Sequence, residues 1–224
     1  MTAPAPTPDA AAERSRGLAS GIAAYVIWGF FPLLFPLLKP AGAFEILAHR
    51  IIWSLVAVAL ALVLLRHPWG WLRSALTRER LPRIVAAAFL VGLNWLVFIW
   101  AVNSNHVVEA SLGYFINPLL NIVLGVLIFG ERMSRAGLAG TLLATAGVAV
   151  IAWENWAGLW VSLTLALTFG LYGAVKKKAS APPLGGLFLE SAILLPFALA
   201  YWGWLVVTGA SHFGADARTS GLLI

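Results

Sequence analysis

Seven apolar blocks, each of about 20 residues and so long enough to cross a hydrocarbon layer roughly 30 Å thick, occupy most of this 224-residue chain. They run approximately from Leu18 to Leu38, Phe44 to Leu65, Ile84 to Val102, Val107 to Phe129, Ala136 to Trp153, Ala157 to Val175 and Gly185 to Thr208. Of all residues 61% are hydrophobic and 11% charged, whereas soluble domains carry about a quarter charged residues. In a bilayer, backbone polar groups must be satisfied within the protein, which leaves helices and closed barrels. Barrel strands are about 10 residues of alternating polarity, but these blocks are apolar on every face, so the expectation is an all-α polytopic membrane protein. Residues 1–16 are Ala, Pro and Thr rich and read as a disordered tail. The first block follows Arg14 and Arg16 as a signal peptide would, yet it is longer than a secretory core and ends in FFPLLFPLLKP, so it reads as an uncleaved span.

The basic residues alternate with the blocks. Arg14 and Arg16, then Arg66, Arg73, Arg78, Arg80 and Arg83, then Arg132 and Arg135, then Lys176 to Lys178 fall on one side, twelve in all, against Lys39 and Arg218 on the other. Basic residues near helix ends are retained in the cytoplasm, which makes the N-terminus cytoplasmic. The net charge of +6 and pI near 10.2 are therefore mostly topology and not a nucleic-acid footprint. Tryptophans 69, 71, 153, 156, 160, 202 and 204 lie where an interfacial belt belongs, while Trp28, Trp95 and Trp100 fall deeper and suit a cavity wall. Zero cysteines exclude a disulfide frame, a thiolate metal site and a cysteine nucleophile.

The chain also contains a partial internal repeat. SGIAAYVIWGFFPLLFPLLKP aligns with WVSLTLALTFGLYGAVKKK, placing Gly29 opposite Gly170, and each next block follows a Pro-Gly segment and carries one early glutamate, Glu45 or Glu190. Five spans separate the copies, so the second is inverted, a recurring transporter plan with the solute site between the halves. The expected division is residues 1–16 as tail, 17–153 as a first five-span repeat and 154–224 as two spans of a second repeat plus the start of an eighth helix, as in a fragment or truncated form.

The segment EASLGYFINPLLNIVLGVLIFGER, with Pro118 mid-helix and Gly130-Glu131 at its exit, resembles the fourth helix of the EamA branch of the drug/metabolite transporter superfamily. NWLVFIWAVNSNHVVEASLGYFINPLLN, EILAHRIIWS and TFGLYGAVKK look like its RarD subgroup, whose members are often named chloramphenicol-sensitive proteins. The resemblance covers residues 17–207. It implies a ten-helix inner-membrane carrier of two inverted five-helix repeats with both termini cytoplasmic, and it leaves the solute unnamed.

Ionisable side chains inside a span cost about 2.5–3.5 kcal/mol on insertion scales, so they face a partner or a wet cavity. Glu45 and His49 stand i, i+4 on one face of the second span, with Arg50 about 100° further round. They read either as an ion pair stapling two helices or as a substrate or proton site, in which Arg50 favours an anionic or carboxylate-bearing solute. Asn94 and Trp95 lie mid-span three. Asn117 and Asn121 are again i, i+4 in span four, near Ser111 and Tyr114, and Pro118 deprives the Tyr114 carbonyl of its helical partner, a structural helix break. Glu109 is placed to pair with Arg50 or to cap its own helix, and Tyr172 and Glu190 are counterparts in the second repeat. Glu131 is expected to tie to neighbouring arginines, and Gly113, Gly125, Gly137, Gly140 and Gly147 to permit close helix approach.

The expected activity is secondary transport of a small organic metabolite or drug by alternating access, with Glu45, His49, Arg50, Asn94, Trp95, Tyr114, Asn117 and Asn121 as substrate-binding or coupling residues. The expected partners are the lipid bilayer, the solute and a proton, with no nucleic acid, cofactor or metal. A non-transporting scaffold or sensor is the alternative. A membrane-embedded enzyme finds less support, because HExxH, GxSxG and paired intramembrane aspartates are missing from the sequence.

Overall fold

The structure, a computed structural model, describes residues 8–130, 133–179 and 182–224. It divides into two units, residues 1–37 and 38–224. The first unit is helix α1 (Pro8–Leu34), which contains Pro32 and runs into a 3₁₀ turn (Phe35–Leu38). Residues 8–16, expected to be irregular, are thus helical. The Ala-rich run DAAAERSR has high helix propensity, which outweighs the Pro-rich start. Within α1, Tyr25 meets Trp28 edge-on with ring centroids 6.2 Å apart.

The second unit comprises α2 (Ala43–Leu64), a short α3 (Gly70–Ala75), α4 (Leu81–Asn103), α5 (Val107–Phe129), α6 (Arg135–Glu154), α7 (Leu159–Ala179), α8 (Pro183–Val207) and a short α9 (Ala217–Leu223). Among the described residues, seven helical stretches are long and apolar enough to span a membrane, and they coincide with the seven blocks to within a few residues. Helix ends follow local chemistry. Pro82 and Pro183 sit in the first turns of α4 and α8, where a missing N–H costs nothing. Ser134 caps α6 through the Gly137 N–H, and Gly130, at φ +66°, closes α5 in the left-handed conformation.

The packing centre is α4, α7 and α8. Helix α2 packs chiefly on α8, α4 on α7 and α8, and α5 on α7. Ala48 and Ile51 of α2, Ala88 of α4 and Leu194 and Ala198 of α8 form one buried cluster. A second joins Ala101, Ala110, Val161 and Leu165 of α4, α5 and α7. Between α5 and α7 the backbones nearly touch, since a Cβ on Gly113 would stand 2.9 Å from both Leu165 Cβ and the Ser162 carbonyl. Gly113 therefore does permit close approach, as small residues do in membrane interfaces. Gly140 and Gly147 face open space, because α6 presents no buried residue among those described and packs chiefly along α5. The expected contacts of Glu131 lie outside the described residues.

Candidate functional site

Three polar clusters are built on α2, α4, α5, α7 and α8. The first begins with the first turn of α2, where Glu45 is only 2% exposed. Its partner is neither His49 nor Arg50 but the connection after α8. Glu45 Oε1 accepts the His212 backbone N–H at 2.7 Å and the Ser211 hydroxyl at 3.2 Å, and Oε2 lies 2.7 Å from His212 Nδ1. One turn on, His49 is equally buried at 2%. Its ring stacks on Phe213 at 4.6 Å and meets Trp202 of α8 at 5.5 Å, and neither of its nitrogens has a hydrogen-bond partner.

The second cluster centres on Arg50. Its helical rotation away from His49 carries it to α4, where the guanidinium lies over the Trp95 ring at 4.2 Å. The Tyr114 phenol on α5 interacts electrostatically with it, and Tyr114 is itself held edge-on by Phe98 at 5.7 Å and Phe169 at 6.3 Å. Arg50 as a whole residue is intermediate in exposure. Asn117, three residues on from Tyr114, is buried at 8% with its Oδ1 unpartnered. This arrangement brings three of the expected residues together from three separate helices.

The third cluster lies where α7 ends and α8 begins. Glu190, 3% exposed, pairs with Lys176 Nζ at 3.1 Å and accepts the Tyr172 hydroxyl at 3.0 Å, while Lys176 also donates to the Tyr172 hydroxyl. Tyr172 and Lys176 stand i, i+4 on α7, which aligns both towards one carboxylate.

The remaining expected residues are dispersed. Asn94 is 1% exposed and its Nδ2 donates to the Leu165 carbonyl and to Thr168 Oγ1, both at 2.9 Å, so it clamps α4 to α7. Asn121 is exposed and lines a groove of about 310 Å³ with Gly125, Gly170, Gly173 and Lys177. Pro118 is exposed, and α5 continues through it. Ser111 turns back to the Val107 carbonyl of its own helix. The Glu109 side chain packs where a Cβ on Gly158 would lie. Trp100 stacks on His106 and meets Trp160 at 5.3 Å, an aromatic group at the end of α4.

Ser211, His212, Phe213 and Lys176 were not among the expected site residues. A histidine in a connection that the parity of spans places on the same side as Glu45 is the signal that could have found His212. Lys176 is hidden in a basic triplet that topology alone explains.

Residues 15–153 match the model of the EamA-like transporter family. The chain is 47% identical over 213 residues to a Protein RarD of Streptomyces exfoliatus, covering 95% of this chain and 67% of that relative. It is 42% identical to an uncharacterized transporter, YojE, of Bacillus subtilis, covering 95% and 72%. It is 34% identical to a chloramphenicol-sensitive protein RarD of Pseudomonas aeruginosa, covering 85% and 65%. No solved structure matches the chain.

Proposed function

The chain belongs to the EamA-like transporter family, and from that premise we propose that it acts in a secondary carrier moving a small organic metabolite or drug across the bacterial plasma membrane by alternating access. The observation that carries this reading is Arg50 on Trp95. A cation held inside a spanning helix is costly unless it has a partner or a use. Stacking on an indole supports the plane of the guanidinium, and a guanidinium recognises a carboxylate in the two-pronged geometry that lysine lacks. Tyr114 supplies a hydroxyl, and Asn117, one turn further along α5, a buried amide.

The preferred solute is therefore anionic or carboxylate-bearing, with Arg50 as its anchor and Trp95, Tyr114 and Asn117 as its walls. Glu45 and His49 are the candidates for proton coupling, and the Glu190 cluster is the counterpart at the other end of α8. The distribution of basic residues supports a cytoplasmic N-terminus. Asn94 is a clamp, and Asn121 serves the groove between α5 and α7.

Counterflow of labelled carboxylates in proteoliposomes carrying the full-length protein tests the proposal. Saturable exchange that is lost in Arg50→Gln is the expected result. Flux that rises linearly with concentration indicates a channel, and no flux with any carboxylate overturns the anionic assignment.

A further inference from the structure

The connection after α8 turns back over the bundle. Gly209, at φ +70°, donates its N–H to the Val206 carbonyl at 3.2 Å, and Ala210 donates to Leu205 at 2.8 Å. This pattern satisfies the last carbonyls of a helix and reverses the chain. Gly214, at φ +89°, makes the second left-handed bend, and its N–H is fastened to Ser220 Oγ of α9 at 2.8 Å. Both bends suit glycine because a side chain is disfavoured there.

Between these glycines, Ser211 and His212 hold the Glu45 carboxylate and Phe213 lies on the His49 ring. The His212 side chain is 35% exposed while that of Glu45 is 3% exposed. Residues 211–213 are therefore what separates the buried face of α2 from the surface. Beneath them, both His49 nitrogens and the Trp202 indole N–H are buried without partners. Buried polar groups in native proteins nearly always have partners, and an exception calls for a reason. Water or solute admitted by a lifted Phe213 would supply those missing partners.

We propose that residues 210–213 form a hinged plug between Gly209 and Gly214, latched by Glu45 to Ser211 and His212 and seated by Phe213 on His49. Release of the plug opens Glu45 and His49 to the membrane face on which it lies. As a gate, the plug rests on the carrier reading above. Its movement can be measured without any solute flux.

The chain has no cysteine, so His49→Cys introduces a single thiol, and loss of the imidazole is common to every protein compared. The probe is a charged, membrane-impermeant thiosulfonate applied to right-side-out and to inverted vesicles, with thermal unfolding followed in parallel. With the Glu45 latch intact, labelling is slow. Adding His212→Ala speeds it about tenfold, as loss of one charge-assisted hydrogen bond predicts, and in one vesicle orientation only. Ser211→Ala, the milder change, speeds it less and from the same side. Fast labelling with the Glu45 latch intact, or a rate that neither variant changes, overturns the plug, as does equal acceleration from both sides. If the labelling pattern appears while counterflow stays absent, the plug stands and the carrier reading falls.

Discussion

His212 and Glu45, 167 positions apart, meet twice, the backbone N–H on one carboxylate oxygen and the ring Nδ1 against the other, both at 2.7 Å. Two-point contact fixes the loop against the first turn of α2 more strictly than an ion pair between flexible side chains would. His49, one turn along, makes no hydrogen bond to that carboxylate. Hydrogen bonds to a buried carboxylate are each worth about 1.5–3 kcal/mol, so the loop is a substantial part of what holds α2 to α8 at this end.

Asn94 and Arg50 should respond differently to substitution. Asn94→Leu removes two interhelical hydrogen bonds, a loss of about 0.6–1.7 kcal/mol for contacts of this kind in a membrane. The thermal unfolding midpoint in detergent should fall, with solute affinity retained. Arg50→Lys keeps the charge but loses the planar stack and fork, so stabilisation by added carboxylates should disappear. Equal loss of that stabilisation in both variants would argue against the clamp.

Lys176 and Glu190 should show strong coupling. Lys176→Met leaves a buried carboxylate without its cation, costing up to about 3 kcal/mol, the lower part of the range for such pairs, because the Lys176 side chain is 28% exposed. The double change Lys176→Met with Glu190→Leu removes both charges and should be less damaging than the sum of the two single changes. Chemical unfolding in mixed micelles of the four proteins measures the coupling directly.

Gly113 and Gly140 separate close packing from mere smallness. Gly113→Ala drives a Cβ to 2.9 Å from Leu165 Cβ and the Ser162 carbonyl, and overpacking of this kind costs about 1–3 kcal/mol. Gly140→Ala meets nothing within 4 Å and gains up to about 1 kcal/mol of helix propensity. The unfolding temperature should fall in the first protein and hold or rise in the second.

Asp216 gives a pH dependence of known sign. As the cap of α9 it accepts the Thr219 N–H at 2.7 Å, and that backbone bond, more than the other interactions, holds its carboxyl below the ordinary carboxylate range. A depressed folded-state pKa adds stability above the unfolded value, near pH 4, and that stability is lost as pH falls through the folded one. Amide exchange of residues 217–223 should therefore lose protection, relative to the rest of the chain, as pH drops from about 5 to 3. Asp216→Asn, which keeps the cap without the titration, should flatten that change.

The seven spans, their order and their ends were legible in the sequence because each depends on a local property: a run of apolar residues longer than the hydrocarbon layer, bounded by Pro, Gly, Ser or basic residues. The exception was residues 8–16, where alanine outweighed proline. The charged and polar positions were legible too, since Glu45, His49, Arg50 and Glu190 stand out in blocks that admit few of their kind. Their partners were not. Glu45 turned to His212, Arg50 to Trp95, Asn94 to Leu165 and Thr168, and Glu190 to Lys176 and Tyr172. Only the last set joins near neighbours in the chain. Hydropathy acts within one helix, whereas a partner is chosen by which faces meet, and that depends on the rotation and depth of α2, α4, α7 and α8 set by packing across the whole bundle.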